Sequence, residues 1–212
     1  STQGYSSAAS DVYKRQGLFT GMRRGEICGL RWSDIDFNAS TISVNRTVEY
    51  IPHEGLIFTA PKTKASNRTF KVGANCMDML REYQLYQKAE RLRVGSMWAR
   101  TVQVENGKTV QNDLLFTSWD GTPFDLERLT TWFPHFLRAH DLPAVHFHSL
   151  RHTYASLMIA AHVPITTVSG RLGHAQTSTT TDIYAGFIRT ADAAASDAME
   201  IVFDNIREKS RA

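Results

Sequence analysis

Apolar residues first recur with a helical period at Met22, Ile27 and Leu30 in "GMRRGEICGLRW", which predicts a short helix with Trp32 just beyond it. "SDIDF" leads the chain out of that helix. The period then shortens. "TISVNRTVEYI" alternates and is β-branched, and "GLIFTAPKTKASNRTFKV" holds two more strands around a polar turn. Together they predict a three-stranded antiparallel sheet over roughly residues 41–72. Helical spacing returns at Cys76, Met79, Leu80, Tyr83 and Tyr86 and extends to about residue 93. Turn signals at Asn106–Gly107 and Asp120–Gly121 mark a loop with short strands. Asp125 opens another helix, which Pro134 is expected to bend or split.

Ser149 lies just inside the next helix, with an expected core stripe of Leu150, Tyr154, Leu157, Met158 and Ala161. Pro164 suits the first turn of a further helix, "PITTVSGRL", that ends near Gly173. Met199, Val202, Phe203 and Ile206 predict a terminal amphipathic helix. Residues 1–16 have no apolar periodicity and read as a non-native or disordered leader, with a native flexible terminus as the alternative. The pattern therefore predicts one α+β domain over residues 17–190 and a tail helix within 191–212.

Composition narrows the class. With 212 residues, 42% hydrophobic and 21% charged, the chain is sized for one well-buried domain. Its longest nearly apolar run, residues 154–163, is too short to span a bilayer. The N-terminus lacks the basic segment and apolar core of a secretory signal. Cys28 and Cys76 stand 48 residues apart without a CxxC partner, which argues against a disulfide framework. A cytoplasmic location is the expectation. The net charge of +3 leans towards a polyanionic partner, and its distribution says more: basic residues gather at 14–31, 62–71 and 88–100, whereas the C-terminal stretch is acidic.

Candidate chemistry centres on "HFHSLRHTYASL", where His148, Arg151 and His152 are spaced i, i+3, i+4 at a helix start. An imidazole, a guanidinium and a helix N-terminus suit a phosphate clamp, with His146 upstream and not obliged to converge. A metal site is the first alternative, because His148 and His152 have ligand spacing; the missing carboxylate and the intervening Arg151 oppose it. A merely structural histidine pair is the second. "TGMRRGE" offers Arg23 with Glu26 placed to orient it, and "LGH" puts His174 past a helix end. Tyr184 follows ten residues later, and "PKTKASNR" carries Lys62 and Lys64 on a turn between strands.

Taken in order, these motifs resemble the catalytic domain of the tyrosine recombinases, the phage integrase family. "RRGEICGLRWSDIDF" and "PKTKASNRTF" are most similar to integrases of phages and conjugative transposons, and the likeness covers roughly residues 18–190. It implies a mainly helical catalytic fold with the small sheet on one side. It also implies site-specific DNA recombination and integration through a 3′-phosphotyrosyl intermediate. Tyr184 would be the nucleophile, Arg23 and Arg151 would grip the scissile phosphate, and His174 would donate to a phosphate oxygen. His148 would act as general acid–base and Lys62, or failing it Lys64, would protonate the leaving 5′-hydroxyl.

Glu26 and His152 would support them, with Arg24, Lys64, Arg68 and Arg171 on the DNA. The same resemblance implies no metal, no ATP and no other cofactor. Its partners would be double-stranded DNA and further copies of the chain, four on two DNA sites. The family's separate N-terminal DNA-clamping domain is expected to be missing, so binding would be weak. Three other readings stay open: a helix-turn-helix regulator built on "SLMIAAHVPITTVSGRLGH", a type IB topoisomerase, and a catalytically silent DNA-binding fragment.

Overall fold

A computed structural model describes residues 17–185 except 18, 52, 54, 62 and 105–107, with the backbone alone of Lys64, Arg128 and Leu129. The expected leader over 1–16, the tail over 191–212 with its helix around Met199–Ile206, and Lys62 lie outside the described residues.

Helix α1 (Arg24–Cys28) is followed by a 3₁₀ turn and strands β1 (Ile35–Asp36) and β2 (Thr41–Val44). Strands β3 (Thr47–Ile51) and β4 (Gly55–Thr59) form a hairpin, and β5 (Arg68–Lys71) leads into the long helix α2 (Ala74–Val94). A second hairpin, β6 (Thr101–Gln103) with β7 (Thr109–Gln111), precedes helices α3 (Leu126–Ala139), α4 (Ser149–Ala160) and α5 (Ile165–Leu172). A last described helix, α6, covers 177–185.

The fold is α+β with small antiparallel sheets, but the strands are distributed differently from the pattern reading. β2 pairs with β5, from Thr41 opposite Lys71 to Val44 opposite Arg68, and the third strand is β1, not part of the β3–β4 hairpin. Among the described residues the hairpin pairs only with itself. The reason is a polar anchor between the two sheets. Asn45 donates to Asp34 Oδ1 at 3.0 Å, and Arg46 forms an ion pair with Asp34 Oδ2. Asp34 is buried, so the chain is pulled out of the sheet after Val44 to satisfy it.

The main core joins α1, the β2–β5 sheet, the β3–β4 hairpin and α2 through Ile27, Leu30, Ile42, Val48 and Leu80. α1 lies directly on β3. A Cβ at Gly25 would sit 2.5 Å from both Thr47 Oγ1 and the Val48 carbonyl oxygen. Because the backbone oxygen cannot swing aside, Gly25→Ala is expected to cost about 1–3 kcal/mol of stability, read as a lowered urea midpoint.

α3 is not split at Pro134; the proline is exposed, while Phe133 on the buried side packs edge-on to Phe147 at 5.5 Å between centroids. A smaller core holds α4, α5 and α6 together around Tyr154, Ala155, Ile159, Val168, Leu172 and Tyr184. Here the expected α4 stripe is corrected: the buried face is Arg151, Tyr154, Ala155 and Ile159, and Leu157 is 60% exposed. No helix among the described residues is long and apolar enough to cross a membrane.

Candidate active site

Arg23 is the N-cap of α1, and Glu26 reaches back to it. The carboxylate accepts from the Arg23 backbone N–H at 2.8 Å and from its guanidinium at 2.9 Å. Arg68, on β5, grips the other side of Glu26 with a fork at 3.1 and 2.9 Å. Burial alone would push the Glu26 carboxyl up. The Arg68 hydrogen bonds and charge, with the Arg23 backbone N–H and charge, outweigh it, so the group lies below the usual carboxylate range.

The sign follows from linkage. A depressed carboxyl stabilises the fold fully above its unfolded pKa and stops doing so as pH falls through the folded value. Glu26→Gln leaves Arg68 buried without its counter-charge and is expected to cost about 3–5 kcal/mol at pH 7. In a urea titration series the difference from wild type is expected to begin shrinking below pH 4.5, where the unfolded chain's carboxyl protonates, and to be lost as pH falls through the lower value of the folded group.

Arg68 was expected on the DNA; the structure turns it inward instead. Its side chain is 7% exposed, and it donates to Glu26, to the Ser66 carbonyl and to the Arg171 carbonyl. Four of the five donors a guanidinium owns are thus committed within the protein. Arg171 is half-buried: it donates to Tyr154 Oη and the Lys71 carbonyl and lies 5.0 Å from the Phe70 ring centroid. Arg24 reaches the Leu126 carbonyl and Thr130 on α3. Lys64 sits in a 3₁₀ turn between β4 and β5.

Arg151 is 3% exposed and donates to the Gly21 carbonyl at 2.8 Å and the Leu172 carbonyl at 2.7 Å. Two carbonyls far apart in sequence therefore fix its plane, one just before α1 and one at the end of α5. Burial, then the charges of Arg23 and Arg68, draw it down to about 10, with Glu26 and Tyr184 opposing. It stays a cation at neutral pH. The helix N-terminus expected to complete a clamp is already used: the N–H groups of Ser149, Leu150 and Arg151 donate to the carbonyls of His146, Phe147 and His148. The α4 N-terminus therefore leaves none of these three N–H groups free for an anion.

The histidines divide. His148 is exposed and lies T-shaped to His152 at 5.0 Å between centroids. Partial desolvation of the ring, then the charges of His152, Arg151 and Arg23, hold it below the usual histidine value. His152 Nδ1 lies 2.8 Å from Tyr184 Oη. Tyr184 itself is 3% exposed; burial raises its pKa and Arg151 partly counters this. His174 follows Gly173, whose left-handed conformation (φ 68°, ψ 41°) ends α5. Its Nδ1 lies 2.7 Å from Thr180 Oγ1, and burial with the surrounding Arg151, Arg23, Arg68 and His148 charges pushes it down to about 4.

Two cavities meet at Arg23. One, about 360 Å³, is lined by Glu26, Pro61, Thr63 and His174 beside it. The other, about 690 Å³, runs past Arg24, Tyr50, Phe133, His146 and His148. Among the described residues no group of three or more His, Cys, Asp or Glu side chains is placed to hold a metal ion. Thr180 went unnoticed in the motif reading; its one legible signal is the i, i+4 spacing to Tyr184, which puts both on one face of α6.

This arrangement of helices and small antiparallel hairpins occurs in solved structures. The Tn1549 transposon integrase in complex with transposon right end DNA superposes with a TM-score of 0.70 at 20% identity, covering 87% of this chain and 57% of that one. XerA recombinase gives 0.59 at 23% identity, covering 92% and 62%. The fold is that of a tyrosine recombinase catalytic domain. Among curated proteins, a XerC-like tyrosine recombinase of Caldanaerobacter subterraneus subsp. tengcongensis is 35% identical over 177 residues, which are 80% of this chain and 43% of that protein. The ICEBs1 integrase of Bacillus subtilis is 26% identical over 167 residues, 79% of this chain and 42% of that protein. The chain thus spans less than half the length of these curated relatives. The profile of the phage integrase family matches residues 17–187, and the chain belongs to that family.

Proposed function

We propose that this chain carries the catalytic centre of a site-specific DNA recombinase that breaks and rejoins strands through a 3′-phosphotyrosyl intermediate. The observation that carries the reading is the contact of Tyr184 Oη with His152 at 2.8 Å, within the electrostatic reach of Arg151. A phenol raised in pKa by burial needs both a base and a cation beside it before it can attack at neutral pH.

In this reading the Tyr184 proton passes to His152 Nδ1 as the phenolic oxygen attacks the scissile phosphorus. His148, exposed with its ring 5.0 Å from that of His152, is the second imidazole available for general acid–base exchange with solvent. Arg23, whose side chain is 40% exposed where the two cavities meet, binds one non-bridging oxygen. Arg151 binds with the edge its two carbonyl bonds leave free, and His174 adds a neutral donor. Together they stabilise charge that grows on the pentavalent phosphorus. The 5′-oxygen leaves with a proton from Lys62, or from Lys64. Bond energy is conserved in the phosphotyrosine, so rejoining needs no nucleotide and no metal. Arg24 faces the duplex from the larger cavity, and copies of the chain assemble as a tetramer on two DNA sites.

The burial of Tyr184 favours one other reading, a fragment that binds DNA without cutting it. A nicked suicide duplex carrying the element's own end sequence separates the two. Incubated with protein in excess chelator and run on a denaturing gel, it is expected to give a protease-sensitive shifted band. A salt-dependent mobility shift with no covalent band would support the silent fragment instead.

A further inference from the structure

Thr180 is wholly buried on α6, and its hydroxyl lies 2.7 Å from Nδ1 of His174. We infer that Thr180 is a positioning residue: it donates its hydroxyl hydrogen to Nδ1 and so holds His174 in the tautomer that carries its proton on Nε2. The inference rests on the reading of His174 as a phosphate-oxygen donor and gives that role its cause.

A neutral imidazole has one N–H, and a threonine hydroxyl can either give or take the hydrogen bond. If Nδ1–H gave, the Thr180 hydrogen would need another acceptor inside the protein. Among the described residues Oγ1 has no other partner. The usual outlet on a helix is the carbonyl four residues back. Thr181 takes it, bonding to the Thr177 carbonyl at 3.3 Å, whereas Thr180 does not. Donation to Nδ1 leaves no buried hydrogen stranded, and it places the single imidazole proton on the other nitrogen.

The location of that proton matters because His174 is surrounded by positive charge. With its pKa pushed down to about 4 by burial and by Arg151, Arg23, Arg68 and His148, the ring is uncharged at neutral pH. A phosphate oxygen only accepts. The Nε2–H tautomer offers it a hydrogen; the Nδ1–H tautomer would aim a lone pair at it. Thr180 thus decides whether an uncharged His174 attracts or repels the anion held by the two arginines. Because Thr180 and Tyr184 share one face of α6, the same contact also registers the nucleophile's helix against the turn after α5.

Long-range ¹H–¹⁵N spectra of the imidazoles in the full chain at pH 7 read the tautomer directly. His174 is assigned by the signals lost in His174→Gln. The wild type is expected to show the Nε2–H pattern. Thr180→Val keeps the shape without the donor and is expected to populate Nδ1–H. It should also slow single-turnover adduct formation about 10–100-fold while DNA affinity stays within about twofold. Thr180→Ser is expected to restore both readouts.

An Nδ1–H wild type, or a valine variant with an unchanged tautomer, overturns the assignment; the wild-type spectrum decides even if the variant fails to fold. Nε2–H without any wild-type adduct would remove the strand-cleavage reading and leave Thr180 in its role. Adducts formed by an Nδ1–H enzyme would do the reverse.

Discussion

Tyr184→Phe is expected to abolish the protease-sensitive adduct on a suicide duplex, a fall of at least about 10⁴-fold, because no other group replaces an attacking nucleophile. The variant is a sharp test since Phe fills the same buried space among Tyr154, Ala155 and Leu172. What it removes is the oxygen 2.8 Å from His152. Losing that one hydrogen bond is expected to shift stability by only about 1 kcal/mol, so the melting curve should stay near wild type. Binding of the same duplex in a mobility-shift assay should be retained. Adducts that persist in Tyr184→Phe would remove Tyr184 as the nucleophile; loss of both binding and fold would make its role structural.

Arg151→Lys carries the second large effect, and it separates charge from geometry. The wild-type guanidinium holds the Gly21 and Leu172 carbonyls at 2.8 and 2.7 Å and still has donors to spare. A lysine ammonium keeps the charge but cannot span both carbonyls and present a planar edge to a phosphate. Cleavage is expected to fall about 10²–10³-fold, the size seen when one donor to a developing oxyanion is lost. Stability should also drop by about 1–3 kcal/mol, because a buried carbonyl loses its partner. The paired measurement is single-turnover cleavage beside a urea midpoint. Near-normal cleavage with a lowered midpoint would leave Arg151 a structural tie between the start of α1 and the end of α5.

Some of this site is legible in the sequence. Arg23 and Glu26 lie three apart, and a helix start brings that spacing into contact, as the 2.9 Å ion pair shows. The left-handed turn at Gly173 followed from a glycine after "SGRL". Other features were hidden because their partners are remote. Arg68 looked like one more surface cation in a basic hairpin, yet Glu26, 42 residues away, draws it inward. His152 and Tyr184 stand 32 residues apart, and nothing local says that their side chains meet. The same holds for Leu157, apolar and well spaced for the core but exposed, because Arg151 and Tyr154 claim the buried face of α4.

The division has a physical basis. Helix or strand character depends on backbone preference and on which side of a short segment is apolar, so both are encoded within a few turns of chain; that is why α2, the strand character within residues 41–72 and the ends of α5 could be read from the residues. The motif order, from "TGMRRGE" to Tyr184, carried the family in the same way. Which strands pair, which cations are buried and which hydroxyl meets which imidazole are settled by competition among distant groups for a few enclosed positions. Asp34 drew Asn45 and Arg46 out of the sheet, and the Gly21 and Leu172 carbonyls turned Arg151 inward. Buried polar groups must find partners wherever the packed chain brings them, and those partners exist only once α1, α4, α5 and α6 have come together.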